Sequence, residues 1–489
     1  MMRNLTRKTR THTLGRLTMS EIIFRTIAGI AAGYSEKKFS PLEVVKAHLE
    51  RIARLDPKLN AFVHVDAESA LEQAEVATKE VMRVAAASKR RLHGIPLTVK
   101  SCIDVAGWPT AAGSLLRKDY VAAVDAPLVA RLRAAGAILL GNTNTPEYLM
   151  AYETDNLLSG ETSNPWDLER SSGGSSGGEA AAIASGCSVG GVGSDGGGSV
   201  RVPAHFCGIC GLKPTPGRIP VTGHFPERED AFGWIGVVGP MARTIADLRA
   251  LFETTAGPDA GDALSAPVPV RAVEEKDVRG LRIGILESEA LGEATAETAA
   301  AVEHAARLLK EQGFLVETKR LRGLGRAIEL WWYFFGPVIA DVIQKDAVGQ
   351  EEEMSPMLRE YVALATAETT LTYDGFLNAC RERDSVRADI LRQMDEVKIL
   401  LSPVSAGPAF RHGEGNWRSG ARESYRETMR FSQWLNLAGF PGVAVPVGFS
   451  REGLPIGVQV IGRPYEEELI LAVAQAIEQA RGSWQAPSV

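Results

Sequence analysis

The chain predicts an α/β fold built on a large, mostly buried sheet, and three observations carry that expectation. Amphipathic stretches with apolar residues spaced near 3.6 alternate with short apolar runs of strand length. Those runs are mostly apolar, as strands covered on both faces are. The 489 residues are 45% apolar and 23% charged, the balance of a globular chain rather than a disordered or fibrous one.

Taken in order, residues 1–18 stand apart. They hold Arg3, Arg7, Lys8, Arg10 and Arg16, no acidic residue and no apolar core of a secretory signal. They read as a disordered basic tail, with a transit peptide or basic arm as alternatives and Met19 as an equally good start. Helices are expected over Pro41–Leu55, Ala67–Ala87, Thr295–Gln312, Tyr373–Val397 and Glu466–Ala480. Strands are expected over Ile95–Lys100, Ala137–Leu140, Leu281–Leu286, Val397–Leu401, Val443–Val447 and Ile456–Ile461. Length alone allows about three domains, but no linker composition and no fixed repeat divides residues 19–489.

Charge and composition exclude several functions. Lys and Arg number 54 against 60 Asp and Glu, a net charge of −6, so the basic field that dominates nucleic-acid binding is missing. Nucleic acid is not an expected partner. The most apolar segments are interrupted before they reach bilayer length, so no transmembrane span is expected. Five cysteines, an odd and sparse set, suit a reducing compartment and a cytoplasmic location.

The unusual feature is SSGGSSGGEAAAIASGCSVGGVGSDGGGS at residues 171–199. A flexible Gly/Ser linker would stay polar, whereas Glu179–Ser185 reads as an Ala-rich helix and 200–214 as core. Gly191, Gly193 and Gly196 fit G-x-G-x-x-G, but Pro203 falls where the phosphate-binding helix belongs, and the next acid after Asp195 is Glu227. Residues 173–177 fit G-x-S-x-G, yet the preceding ETSNPWDLERSS is no strand. Ser35-Glu36-Lys37-Lys38 fits S-x-x-K without any K-T-G to accompany it. Cys207-x-x-Cys210 lacks a second ligand pair and reads as buried packing, so no metal is expected.

Glycine-flanked serines without a nearby histidine raise the question of a base. A serine hydroxyl is a weak nucleophile until its proton is removed, and a lysine can remove it if its surroundings favour the neutral amine. Lys100 ends the apolar run Ile95–Lys100 ahead of the turn-like SCIDVAG. Alone, it reads first as a solvated lysine at a strand terminus.

Here the residues resemble the amidase signature family. GGSSGGEAAAIASGCSVGGVGSDGGGSVRVPAHFCGICGLKPTPGRIP is similar to the family signature. The likeness continues in HGIPLTVKSCIDVAG (93–107), GNTNTPEY (141–148), VGPMART (238–244) and NLAGFPGVAVPVGF…GLPIGVQVIG (436–462), and thins between about 257 and 395. The resemblance implies a single α/β/α domain around a large mixed, mostly parallel sheet, with no cofactor. It also implies a Ser-cisSer-Lys triad in which Ser199 attacks a carbonyl carbon and Ser175, on a cis peptide, relays the proton to Lys100. Gly196, Gly197, Gly198 and Ser199 match its oxyanion hole, although Gly196 stands where the family usually has Thr or Ile. Ser176, Asp195 and Arg201 match supporting positions, where plain structural bonding is an equal account. Leu149, Met150 and Tyr152 match positions lining the acyl side in relatives resembling fatty-acid amide hydrolases, and core packing explains them equally.

The run Trp331-Trp332-Tyr333-Phe334-Phe335 cannot face one side of any regular element, so some of its rings pack inward and others face a cleft, a partner or solvent. The expected function is hydrolysis of an uncharged, lipophilic aryl or acyl amide. Alternatives are a carbamate or ester hydrolase, the glutamine-hydrolysing subunit of a tRNA-dependent amidotransferase, and a non-catalytic binding protein. The expected partner is a small-molecule amide or carbamate, and assembly into a homo-oligomer stays open.

Overall fold

The computed structural model describes residues 19–83, 90–227, 231–418 and 423–489. The basic tail expected over 1–18, and the end of the helix expected over 67–87, lie outside the described residues. The remaining strand expectations are met. In chain order the main sheet holds β1 (Phe62–Val65), β2 (Pro96–Lys100), β3 (Ile138–Thr143), β4 (Gly190–Asp195), β5 (Cys210–Lys213) and β6 (Val237–Ala242), then β7 (Arg282–Glu287), β8 (Leu315–Arg320), β9 (Ile399–Pro403), β10 (Gly442–Phe449) and β11 (Pro455–Ile461).

Their spatial order is β1-β3-β2-β4-β6-β5-β10-β11-β9-β7-β8, an 11-stranded sheet. It is mixed, as expected, but it is not mostly parallel. Only β3–β2, β2–β4, β9–β7 and β7–β8 pair in parallel, while every other neighbouring pair is antiparallel. The physical reason lies partly in short connections. Residues 450–454 join β10 to β11, too short a link for a parallel crossover.

Successive strand residues face opposite sides of the sheet. Ile399 and Leu401 therefore enter one apolar cluster with Val99, Val443 and Val458, while Leu400 enters the other with Tyr152, Trp331 and Trp434. Helices with clear end signals cover the sheet. Helix Pro41–Leu59 starts at a Ser40/Glu43 capping box with Pro41 in its first turn, and it runs past the expected Leu55 to Asn60 in left-handed conformation. Helices Ala296–Glu311, Tyr373–Gln393 and Glu467–Arg481 lie close to their expected positions. The Ala-rich helix is Gly177–Ala184 and is buried along its whole length. Its small residues let it press close: a Cβ on Gly178 would lie 2.5 Å from the Asn144 nitrogen. That close seating places residues 173–176 over the C-terminal ends of β2 and β4. No helix among the described residues is long and apolar enough to cross a membrane.

Candidate active site

Lys100 is the last residue of β2, in register with Thr143 of β3, and is fully buried. Its Nζ donates to Ser175 Oγ at 2.6 Å and to Ser194 Oγ at 3.1 Å. Ser175 follows a cis peptide after Gly174, and its carbonyl accepts from Thr145 Oγ1 at 2.8 Å. Gly174 is pressed onto a neighbouring loop, where a Cβ would lie 2.6 Å from the Ala151 carbonyl oxygen. Ser199 lies just beyond β4, 8% exposed, and its carbonyl accepts from the Ser176 N–H at 3.2 Å. The structure thus brings Lys100 and Ser175 into contact and ties the Ser175 segment to Ser199 through the backbone. Beneath them Glu179 accepts from Thr98 and Thr143. Burial pushes its carboxyl up to about 7, against the opposing pull of those hydroxyls and Lys100.

The loop after β4 corrects one expectation. The Gly198 N–H donates to Asp195 Oδ1 at 2.7 Å, so this expected oxyanion donor is already engaged. The reason is the Asp195 carboxylate, which folds back over the turn and also accepts from the Val200 N–H. Gly198 has φ 129°, a conformation that favours glycine, whereas Gly197 is glycine for space: a Cβ there would sit 2.5 Å from Trp331 Cζ2.

Asp195 and Arg201 form a fully buried two-pronged pair, with Nε and Nη2 each 3.0 Å from a carboxylate oxygen. Burial alone would raise the Asp195 carboxyl, but Arg201, Lys213 and Asn436 hold it well below the usual carboxylate range. Arg201 also reaches Gln459, Asn436 and the Ser432 carbonyl. Ser176 Oγ donates to the Ser194 carbonyl and accepts from the Ser194 N–H, joining the two serine segments again.

The expected substrate-side residues separate. Leu149, at φ 68°, packs into the cluster containing Val99 and Trp108, apart from the other two. Met150 and Tyr152 join the aromatic cluster. The Met150 carbonyl accepts from Trp417 Nε1, and the Tyr152 hydroxyl donates to the Gly197 carbonyl at 2.7 Å. The 331–335 run divides between helix Leu324–Tyr333 and the wider turn after it. Trp331 donates to the Gly196 carbonyl at 2.8 Å and stacks on Phe335, while Phe334 packs on Trp234 and Phe376. Phe232 and Phe335 flank Gly196.

Sequence reasoning misses Ser194, Thr145, Asn436, Gln459 and Glu179 as site residues, although all five sit in the blocks that resemble the family. Cys207 and Cys210 are buried, with Cys207 against the Ser172 carbonyl and Cys210 against that of Arg243. Among the described residues, the one group of His, Cys, Asp or Glu side chains close enough to share a cation is Glu153, Glu161 and His412. There His412 Nδ1 already lies 3.1 and 3.0 Å from the two carboxylates.

Residues 43–471 match the Amidase family, and the chain belongs to it. A glutamyl-tRNA(Gln) amidotransferase subunit from Roseiflexus castenholzii is 35% identical over 485 residues, covering 94% of this chain and 96% of that protein. Among solved structures, a 6-aminohexanoate cyclic dimer hydrolase matches with a TM-score of 0.84 and 28% identity, over 95% of this chain and 99% of its own. A bacterial aryl acylamidase of the amidase signature enzymes matches at 0.82 and 26%, over 94% and 97%. Family and neighbours together support activity on a carbon–nitrogen bond.

Proposed function

We propose that this chain hydrolyses uncharged, lipophilic aryl or acyl amides through a covalent acyl intermediate on Ser199. The observation that carries the reading is the 2.6 Å contact of buried Lys100 Nζ with Ser175 Oγ, beside the backbone bond from Ser176 to Ser199. A base needs the neutral amine. Ser199 Oγ attacks the carbonyl carbon while its proton passes to Ser175 Oγ and the Ser175 proton passes to Lys100. The N–H groups of Gly196, Gly197 and Ser199 receive the developing oxyanion. On collapse the proton returns through Ser175 to the departing nitrogen. Water then repeats the sequence on the acyl group, and no cofactor enters the reaction.

Substrate class follows from the rings around the Gly196–Gly197 loop. Tyr152, Phe232, Trp331 and Phe335 favour apolar surface, whereas the charged ends of glutamine need buried ionic partners. Carbamates and esters present the same attackable carbonyl and are candidate substrates of the same site. A second reading, the glutamine-hydrolysing subunit of an amidotransferase, is favoured by the 35% identity to an amidotransferase subunit over most of the chain. The purified chain is tested by kcat/KM on anilides of increasing length, a phenylcarbamate, an ester and glutamine. The proposal expects rising values along the anilides and none in Ser199→Ala. Turnover of glutamine alone, appearing only with partner subunits, would move the chain to the second reading. Turnover surviving in Ser199→Ala would remove the mechanism.

A further inference from the structure

The amide reaction leaves one proton unaccounted for inside the site. Deacylation adds water to the acyl carbon, returns a proton to Ser199 Oγ and forms a carboxylic acid. At neutral pH that acid gives its O–H proton to the nearest base, so product carboxylate and protonated Lys100 share the site. Lys100 has to shed that proton before the next turnover.

A path leads from Lys100 through neighbouring side chains to a cavity. Lys100 Nζ donates to Ser194 Oγ at 3.1 Å, Ser194 Oγ lies 3.6 Å from Cys102 Sγ, and Cys102 Sγ lies 3.5 Å from His224 Nε2. The fold builds the juxtaposition. Cys102 lies in the turn after β2, its carbonyl accepts from the Phe225 N–H at 2.8 Å, and Ile103 bridges His224. The direction is set at the far end. His224 Nδ1 lies 2.9 Å from the Pro226 carbonyl, which only accepts, so Nδ1 carries the hydrogen and Nε2 presents its lone pair to the thiol. His224 lines a cavity of about 530 Å³ that also holds Asp104, Arg117, Glu227 and Asp262.

We propose that Ser194, Cys102 and His224 form a proton exit that returns Lys100 to its neutral form by passing the product acid's proton to water in this cavity. The ammonium proton moves to Ser194 Oγ, the Ser194 proton to Cys102 Sγ and the thiol proton to His224 Nε2, and the imidazolium loses a proton to cavity water. Each relay group gains one proton and gives one; His224 gains at Nε2 and gives from Nδ1, and cavity water then returns a hydrogen to Nδ1 and takes the one on Nε2, restoring the starting tautomer. Cys102 and His224 are assigned to act through Lys100, as positioning residues. The inference rests on Lys100 being the base.

The test uses His224→Gln, His224→Ala, Cys102→Ala and Cys102→Ser in the full chain, with an activated ester to separate steps. The burst that reports acylation of Ser199 should keep its amplitude in all four, because the first turnover begins with neutral Lys100. Steady-state kcat at pH 7 should fall about tenfold or more in His224→Gln, His224→Ala and Cys102→Ala, with KM little changed. It should recover toward pH 9, where hydroxide removes the proton directly. Imidazole should restore His224→Ala, whose cavity has room for it, and Cys102→Ser should retain most of the rate. Unchanged kcat in the His224 variants, or a loss that neither imidazole nor alkaline pH restores, would overturn the exit. Loss of the burst in Lys100→Ala and Ser199→Ala is the separate control on the base itself. If the burst survives there, the triad reading fails instead.

Discussion

Replacing Trp331 with Phe tests whether the aromatic run acts on the reaction or only fills the core. The indole Nε1–H is the donor to the Gly196 carbonyl at 2.8 Å, and its ring edge lies against Gly197. Phenylalanine keeps a ring against Phe335 but leaves that carbonyl without its indole partner, a cost of about 1–3 kcal/mol at a buried acceptor. The same carbonyl belongs to the segment whose N–H groups receive the oxyanion in the proposed mechanism. Losing one such donor outright lowers kcat by about 100–1,000-fold. Losing only the bond that holds the segment should cost less, about tenfold in kcat or 1.4 kcal/mol. Tyr152→Phe removes the neighbouring bond to the Gly197 carbonyl while leaving nearly the same volume. Because both bonds restrain one loop, the two substitutions should not add, with a coupling of about 0.5–3 kcal/mol in a double-mutant cycle. The assay is kcat and KM on an anilide, with a thermal melt of each variant. A Trp331→Phe chain that melts lower yet keeps its full kcat would refute the argument and return the ring to packing alone.

Arg201→Met leaves Asp195 buried without its two-pronged partner, and unfolding in urea should show a loss of about 3–5 kcal/mol. Acid should act through His205, which burial pushes down to about 4 while its Nδ1 accepts from the Gly457 N–H at 2.7 Å. The unfolded chain takes up that proton near pH 6.5 and the folded one does not, so stability is lost as pH falls from 6.5 toward 4. His205→Gln should flatten this part of the urea-midpoint profile, and an equally steep profile would acquit the residue. Iodoacetamide on the native chain should label Cys380 and leave activity intact, because Cys102, Cys187, Cys207 and Cys210 are buried. Rapid inactivation with a second label would show that one of the buried thiols is reached.

The legible parts of the fold are those where side chains carry the pattern. β2, β3 and β9–β11 announce themselves as apolar runs, and Lys100 stands out as the charge that ends one of them. β4, GGVGSD, gives no such signal because most of its residues have no apolar side chain to repeat. It is a strand because β2 and β6 pair with it on both sides, and it is glycine-rich because a Cβ on Gly191 would fall 2.0 Å from Glu179 Oε1. β8, LVETKR, is exposed at the sheet edge and its polar residues hide the strand. Within the site, the serines and lysine are marked by local motif, whereas Asn436 and Gln459 reach Arg201 from residues more than two hundred positions away. The engagement of the Gly198 N–H by Asp195 depends on the turn's geometry and on no residue type.

Overall likeness cannot separate amide hydrolysis from glutamine hydrolysis, because the amidases and the amidotransferase relative both align along almost the whole chain. The decision falls to the few side chains that touch the Gly196–Gly197 segment. Trp331 comes from the region where the family likeness thins, yet it bonds to a carbonyl in the segment that would hold the oxyanion. The proposed substrate wall and oxyanion loop are therefore joined at one side chain. On the proposed mechanism, an apolar group pressed against that wall acts on the same loop whose N–H groups meet the transition state. Binding energy gained there should then appear in kcat as well as KM, since only interactions that strengthen in the transition state speed the chemical step. A wall unconnected to the loop would change KM alone.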